Sequence, residues 1–115
     1  MEQATTTDKY EILQEDFIEV YGEKLYRIRT LKSFAGLYKG ELGGYIKMHK
    51  NLDQSGDAWV YGNARVYGNA RVSGNAQVSG NACVYGDARV YGNARVYWDA
   101  CVSGDARVYG NARVY

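Results

Sequence analysis

From Gly56 to the last residue the apolar positions repeat every six residues: an alanine, a variable residue and a valine, followed by a polar break at Gly-Asn or Gly-Asp. Ten hexads divide residues 56–115 without remainder, from Gly56-Asp57-Ala58-Trp59-Val60-Tyr61 to Gly110-Asn111-Ala112-Arg113-Val114-Tyr115. Two small apolar residues flanking an outward one is period-two strand alternation, and the glycine pair bends the chain before the next short strand. A helix would need apolar residues at spacings of three and four, and a glycine in almost every hexad opposes it. An antiparallel meander can use Gly-Asn turns, but three-residue strands would make a sheet too narrow to bury much. Coiling three hexads into one turn instead places each strand beside its counterpart three hexads later, with alanine and valine filling a slim triangular interior.

Before the hexads the pattern is less regular. Phe17 to Tyr21 and Leu25 to Leu31 are strand-like runs around Gly22-Glu23-Lys24, which predicts a hairpin over the open edge of the first coil. Leu42-Gly43-Gly44-Tyr45-Ile46 reads as a degenerate first turn of the solenoid. The expected organisation is an N-terminal hairpin cap with a degenerate first coil over 1–55 and the repeat solenoid over 56–115.

Val-Tyr-Gly-Asn-Ala-Arg, recurring with glycine opening nine of ten hexads and Trp98 in the tenth, resembles the hexapeptide-repeat family. That resemblance implies an all-β fold, a left-handed parallel β-helix of about three coils rising about 4.8 Å per coil. Lys9-Tyr10-Glu11-Ile12, Leu25-Tyr26-Arg27-Ile28, Gly40-Glu41-Leu42-Gly43-Gly44-Tyr45-Ile46 and Asn51-Leu52 are similar to segments of phage and bacterial proteins labelled hexapeptide transferases.

Composition adjusts this picture only slightly. Net charge is +1, with 8 basic and 9 acidic residues over 1–55 and 6 and 4 over 56–115, so neither direct nucleic-acid binding nor mimicry of DNA is expected. No apolar run is long enough for a membrane span, and Met1 to Asp8 lacks the blocks of a secretion signal, so a cytoplasmic location is expected, the host cytosol for a phage-encoded protein. Two cysteines and no proline fit a reducing compartment and a turn-rich chain.

Folding the sequence at three hexads per coil turns the variable positions into columns. One column is Arg71, Arg89, Arg107, beside Asn69, Asp87, Asp105; charge compensation and anion binding are both open readings. A second is Arg65, Cys83, Cys101, whose stacked cysteines are expected to be free thiols. A third is Trp59, Gln77, Arg95, Arg113. The corner after valine carries seven tyrosines, among them Tyr91, Tyr97 and Tyr109, and Trp98 is expected to project from a corner. Tyr and Arg are enriched where proteins grip partners. The candidate partner surface is therefore Arg71, Arg89, Arg107, Arg95, Arg113, Tyr91, Tyr97, Tyr109 and Trp98.

No catalytic, cofactor-binding or metal site is expected. The family resemblance invites an acyltransferase, which would need a general base, and His49 in Lys47-Met48-His49-Lys50 is the one histidine. The hexads contain no inserted loop to shape an acceptor pocket, so this stands as the alternative. A zinc carbonic anhydrase would need several histidines, and an ice-binding solenoid would show threonine ladders that the hexads lack. The remaining expectation is a non-catalytic binding or structural solenoid whose partner is a host or phage protein complex. The phage-type resemblance adds inhibition of a bacterial defence complex, in the manner of an anti-CRISPR protein. A 60-residue prism filled by alanine and valine is marginal alone, at roughly 1.5–3 kcal/mol per buried valine against about 1.5 kcal/mol of ordering entropy per residue. A homo-oligomer, dimer or trimer, is accordingly expected, through Val102, Val108, Val114 and Tyr115 at the last coil or through the prism faces.

Overall fold

The computed structural model describes residues 9–115, so the expectation about Met1 to Asp8 lies outside the described residues. Two long strands, β1 (Tyr10–Val20) and β2 (Glu23–Thr30), form an antiparallel hairpin, followed by β3 (Leu42–Ile46) and a 3-10 turn at His49–Asn51. Ten two-residue strands complete the chain as β4 to β13 in order: Trp59–Val60, Arg65–Val66, Arg71–Val72, Gln77–Val78, Cys83–Val84, Arg89–Val90, Arg95–Val96, Cys101–Val102, Arg107–Val108 and Arg113–Val114. Each covers the variable residue and valine of one hexad. The glycines at the bends take positive φ, which their missing Cβ allows.

Stacking is parallel and in register at three hexads per coil, as in Cys83 opposite Cys101 and Arg89 opposite Arg107. Three sheets result: β1-β2-β3-β5-β8-β11, β4-β7-β10-β13 and β6-β9-β12. The protein is thus an all-β parallel solenoid of about four turns, where ten hexads at three to a coil would supply three and a third. The remaining two sides of the first turn come from β3, which pairs in parallel with β5, and from Leu52, bridged to Val72; β4, the strand of the first hexad, completes it and pairs with β7. Alanine and valine fill the interior, with Ala58 to Ala94 and Val60 to Val96 fully buried.

That first turn lacks the hexad's repeating corner and is held by individual side chains. Asn51 is buried; its amide donates to the carbonyls of Gly68 and Ala70, and its Oδ1 accepts from the backbone of Lys47 and Met48. Gly43 and Gly44 let the turn close. A Cβ on Gly43 would lie 2.6 Å from Trp59 Cζ2, and one on Gly44 would lie 2.5 Å from the Ala64 carbonyl oxygen.

The hairpin covers this turn. Its strands are longer than the apolar runs indicate, because β1 begins at Tyr10 and Leu13-Gln14-Glu15-Asp16 bulge out between the Ile12–Ile28 and Phe17–Tyr26 pairs. Immediately before β1, Lys9 lies buried, with Nζ donating to the Ala58 carbonyl at 2.7 Å and reaching those of Ser55 and Gly56 at 3.4 Å. The Tyr10 hydroxyl donates to the Leu52 carbonyl at 2.6 Å. The Gln54 side chain accepts from the backbone N–H groups of Lys9 and Tyr10. Backbone acceptors at the start of the coil stack are thereby satisfied by side chains instead of by a neighbouring coil.

Candidate functional site

The hexad surface carries two arginine columns. Arg71, Arg89 and Arg107 stand in register on β6, β9 and β12, all exposed. They line, with Ser73 and Tyr91, a shallow groove of about 270 Å³. Beyond Arg71 and Ser73 it meets a second hollow, of about 530 Å³, bordered by His49, Lys50, Leu52, Asp53 and Gln54. The acidic residues two positions earlier in the hexads do not form ion pairs with these arginines. Among the described residues the ion pairs within 4.0 Å are Arg27–Asp16, Arg29–Glu11 and Lys47–Glu23, all outside the hexads. The corner residues form their own ladders instead: Asn69 donates to Asp87, Asn75 to Asn93, Asn81 to Asp99 and Asn93 to Asn111, at 3.3–3.4 Å.

In the third column the structure corrects one expectation. Trp59 occupies the outward position of its hexad yet is 0% exposed. The hairpin and the segment after it lie over that face of the first turn, so Tyr10 and Phe34 meet the indole edge-on at 6.0 and 5.4 Å. One coil on, the column opens: Gln77 is half-buried and Arg95 and Arg113 are exposed in register. These three, with Ser79, Gly80, Tyr97 and Trp98, line a further groove of about 270 Å³. Trp98 is 67% exposed at its corner.

The tyrosines stack along the solenoid and divide between two tasks. Tyr91 stacks on Tyr109, and Tyr97 on Tyr115, at 5.3 and 5.1 Å, with Tyr91 and Tyr97 half-buried and Tyr109 and Tyr115 exposed. Tyr67 stacks on Tyr85 in the same way but is buried, packed with Leu25 and Tyr45 beneath the hairpin. It therefore belongs to the cap instead of to a free corner. Burial raises the phenol pKa of both Tyr61 and Tyr67.

Cys83 and Cys101 are adjacent and free. Burial, and then its neighbour Cys101, push the Cys83 thiol up, which disfavours the nucleophilic thiolate. His49 lies at the solenoid's first end, its ring tilted against Tyr10 at 5.5 Å and its Nδ1 3.4 Å from the Gln54 amide nitrogen. At the other end Val102 and Val108 are buried within their own coil and Val114 is half-buried, while Ala106, Ala112 and Tyr115 are exposed. Among the described residues no helix is long and apolar enough to cross a membrane, and no three His, Cys, Asp or Glu side chains are grouped to hold a metal ion.

Residues missed by the column reading, Lys50, Ser73 and Ser79, border the grooves because polar residues beside a column share its face. The model of the YdcK beta solenoid repeat matches residues 58–74, 64–77, 76–89, 88–105 and 106–115, together just over half of the chain. The chain belongs to the YdcK beta-solenoid repeat family. The matches begin at Ala58 and run to Tyr115, so the YdcK-type repeat accounts for the arginine columns, the tyrosine corners and Trp98, and the hairpin lies outside it. No curated protein matches the chain.

Proposed function

We propose that this protein is a non-catalytic partner-binding solenoid, in which a rigid YdcK-type stack presents arginine and tyrosine columns to another protein. The observation that supports this best is the state of the arginines. Five guanidinium groups, Arg71, Arg89, Arg107, Arg95 and Arg113, are held in register on two faces and make no ion pair among the described residues. Stacked like charges at strand spacing repel one another, and an anionic partner relieves that repulsion. Exposed Tyr109 and Trp98, with half-buried Tyr91 and Tyr97 beside them, add flat contact area at low entropic cost.

The partner class we propose is a protein complex of a bacterial host, including a defence complex. This follows the resemblance of the N-terminal segments to phage proteins, and it is an inference by analogy. The near-zero net charge favours a protein over nucleic acid. Self-association through the last coil or the prism faces belongs to the same reading, because a slim Ala-Val core gains from additional buried surface. Affinity capture from host lysate tests it, comparing wild type with a folded variant carrying Arg71→Ser, Arg89→Ser and Arg107→Ser. Enrichment of one complex by wild type and its loss in the variant is expected. Capture of nothing, or equal capture by both, overturns it.

A further inference from the structure

The two arginine columns are not electrostatically alike. Asp87 and Asp105 stand at the corners before Arg89 and Arg107, whereas the corners before Gln77, Arg95 and Arg113 are Asn75, Asn93 and Asn111, a neutral ladder whose amides hydrogen-bond to one another. Arg95 and Arg113 are therefore the less compensated pair. They share their groove with the one residue that breaks the glycine corner.

Trp98 stands where nine hexads have glycine, and it keeps that glycine's left-handed backbone, at φ 58°. A bulky L-residue is strained there, because its Cβ crowds the following carbonyl oxygen. Part of the strain is offset by edge-on packing of its indole against the stacked Tyr97 and Tyr115, at 5.6 and 5.5 Å. Even so, most of the side chain remains exposed. A strained, exposed tryptophan against the less compensated guanidinium pair and a Gln77 amide is a surface organised around something outside the chain.

We infer that the groove between Trp98 and the Arg95–Arg113 pair binds an acidic peptide segment of the partner, its carboxylates meeting the two guanidiniums and a neighbouring flat apolar side chain lying against Trp98. This rests on the partner-binding reading and adds where contact occurs and with what chemistry. Planar guanidinium donors match carboxylate oxygens in bidentate fashion. A polyanion such as nucleic acid would need a longer uncompensated track, which the Asp99 beside Trp98 and the Asp87–Asp105 corners interrupt.

The test uses the full chain and a labelled nonapeptide of alternating glutamate and tyrosine, with its glutamine-for-glutamate counterpart, inorganic phosphate and adenosine monophosphate as comparisons. Binding is followed by peptide anisotropy and by emission of exposed Trp98, which iodide distinguishes from buried Trp59. The acidic peptide should bind wild type, more weakly as salt rises. It should bind Trp98→Gly and the Arg95→Gln/Arg113→Gln double variant about tenfold more weakly or worse, as loss of charge-assisted contacts requires. Trp98→Gly restores the hexad glycine, so its melting temperature should not fall by more than a few degrees, which separates lost binding from lost folding. Lys39→Ser, on an exposed loop, should bind as wild type. Three results each overturn the inference: no binding of the acidic peptide to wild type, equal binding of the glutamine peptide, or phosphate or the nucleotide binding as tightly as the peptide. If the peptide fails while lysate capture still depends on Arg71, Arg89 and Arg107, only this inference falls and the partner-binding reading stands.

Discussion

The two ends of the solenoid reach the same cross-section by different means. In the hexad stack each coil largely repeats the one before it: the corners are glycine in every hexad but that of Trp98, and Asn and Asp side chains form ladders along them. The first turn, built from β3, Leu52 and β4, uses contacts that occur once: Trp59 under Tyr10 and Phe34, Gly43 against Trp59, Asn51 bridging to Gly68 and Ala70, and Lys9 on the carbonyl of Ala58. Repetition leaves the stack's outward residues unconstrained and free for contact. Where the stack must begin, the same outward position is consumed by the cap, and Trp59 changes from a surface residue to the largest fully buried side chain.

The two ends should differ most at the outward position they share. Trp59→Ala should lower stability by about 3–5 kcal/mol, since the cavity opens beneath a hairpin that cannot collapse into it. Arg95→Ala, the same column two coils on, should change it by no more than about 0.5 kcal/mol, as an exposed substitution. Urea denaturation of both variants measures the difference, and similar losses would mean that the cap is not specially held.

Next in size is a pH effect centred on Lys9 in the cap. Burial lowers the Lys9 ammonium from 10.5 to about 8, against the opposing pull of Asp53 and Asp57 and with a small contribution from Lys32. Between those values the unfolded chain holds the Lys9 proton while the folded chain has released it, so stability should rise with pH across that window. The gain is at most about 3 kcal/mol. Tyr61, Tyr67 and Cys83 act oppositely, because a raised folded pKa means stability falls once pH exceeds the ordinary phenol or thiol value. The profile should therefore climb from pH 8 towards 10 and turn over above it. In Lys9→Met the climb should vanish and the downturn remain, as read from denaturation midpoints at several pH values.

How far the molecule was legible beforehand follows the same division. The parallel stack could be read from invariant Ala58 to Ala112 and Val60 to Val114, because a period of six with glycine at each bend admits few packings. The arginine columns followed from counting three hexads to a coil. The burial of Trp59 did not, since its hexad reads like the others and its cover comes from residues 10 and 34, distant in the chain. Lys9 gave no signal, as a lysine before a strand ordinarily reads as solvated. The absent Arg–Asp pairs were also hidden: two positions apart within a hexad places the carboxylate on a corner ladder and the guanidinium on the next face.

The smallest expected effect concerns the free surface itself. Replacing Arg71, Arg89 and Arg107 together by serine should leave the melting temperature within a few degrees of wild type, because none of them is committed to an ion pair among the described residues. A loss of ten degrees or more in thermal denaturation would show that the column is structural.

In the binding mode proposed above, contact is made by the repeat stack and not by its cap. Hydroxyl-radical footprinting of the protein alone and with its captured partner tests this most directly, because both regions carry exposed aromatic side chains. Tyr21, 93% exposed, and Tyr38, 76%, report on the hairpin and the segment after it, and Trp98 and Tyr109 report on the stack. Protection of Trp98 and the stack tyrosines is expected, with Tyr21 and Tyr38 still oxidised at their free rate. Protection of Tyr21 or Tyr38 with the stack unchanged would contradict it and move the contact surface to the cap.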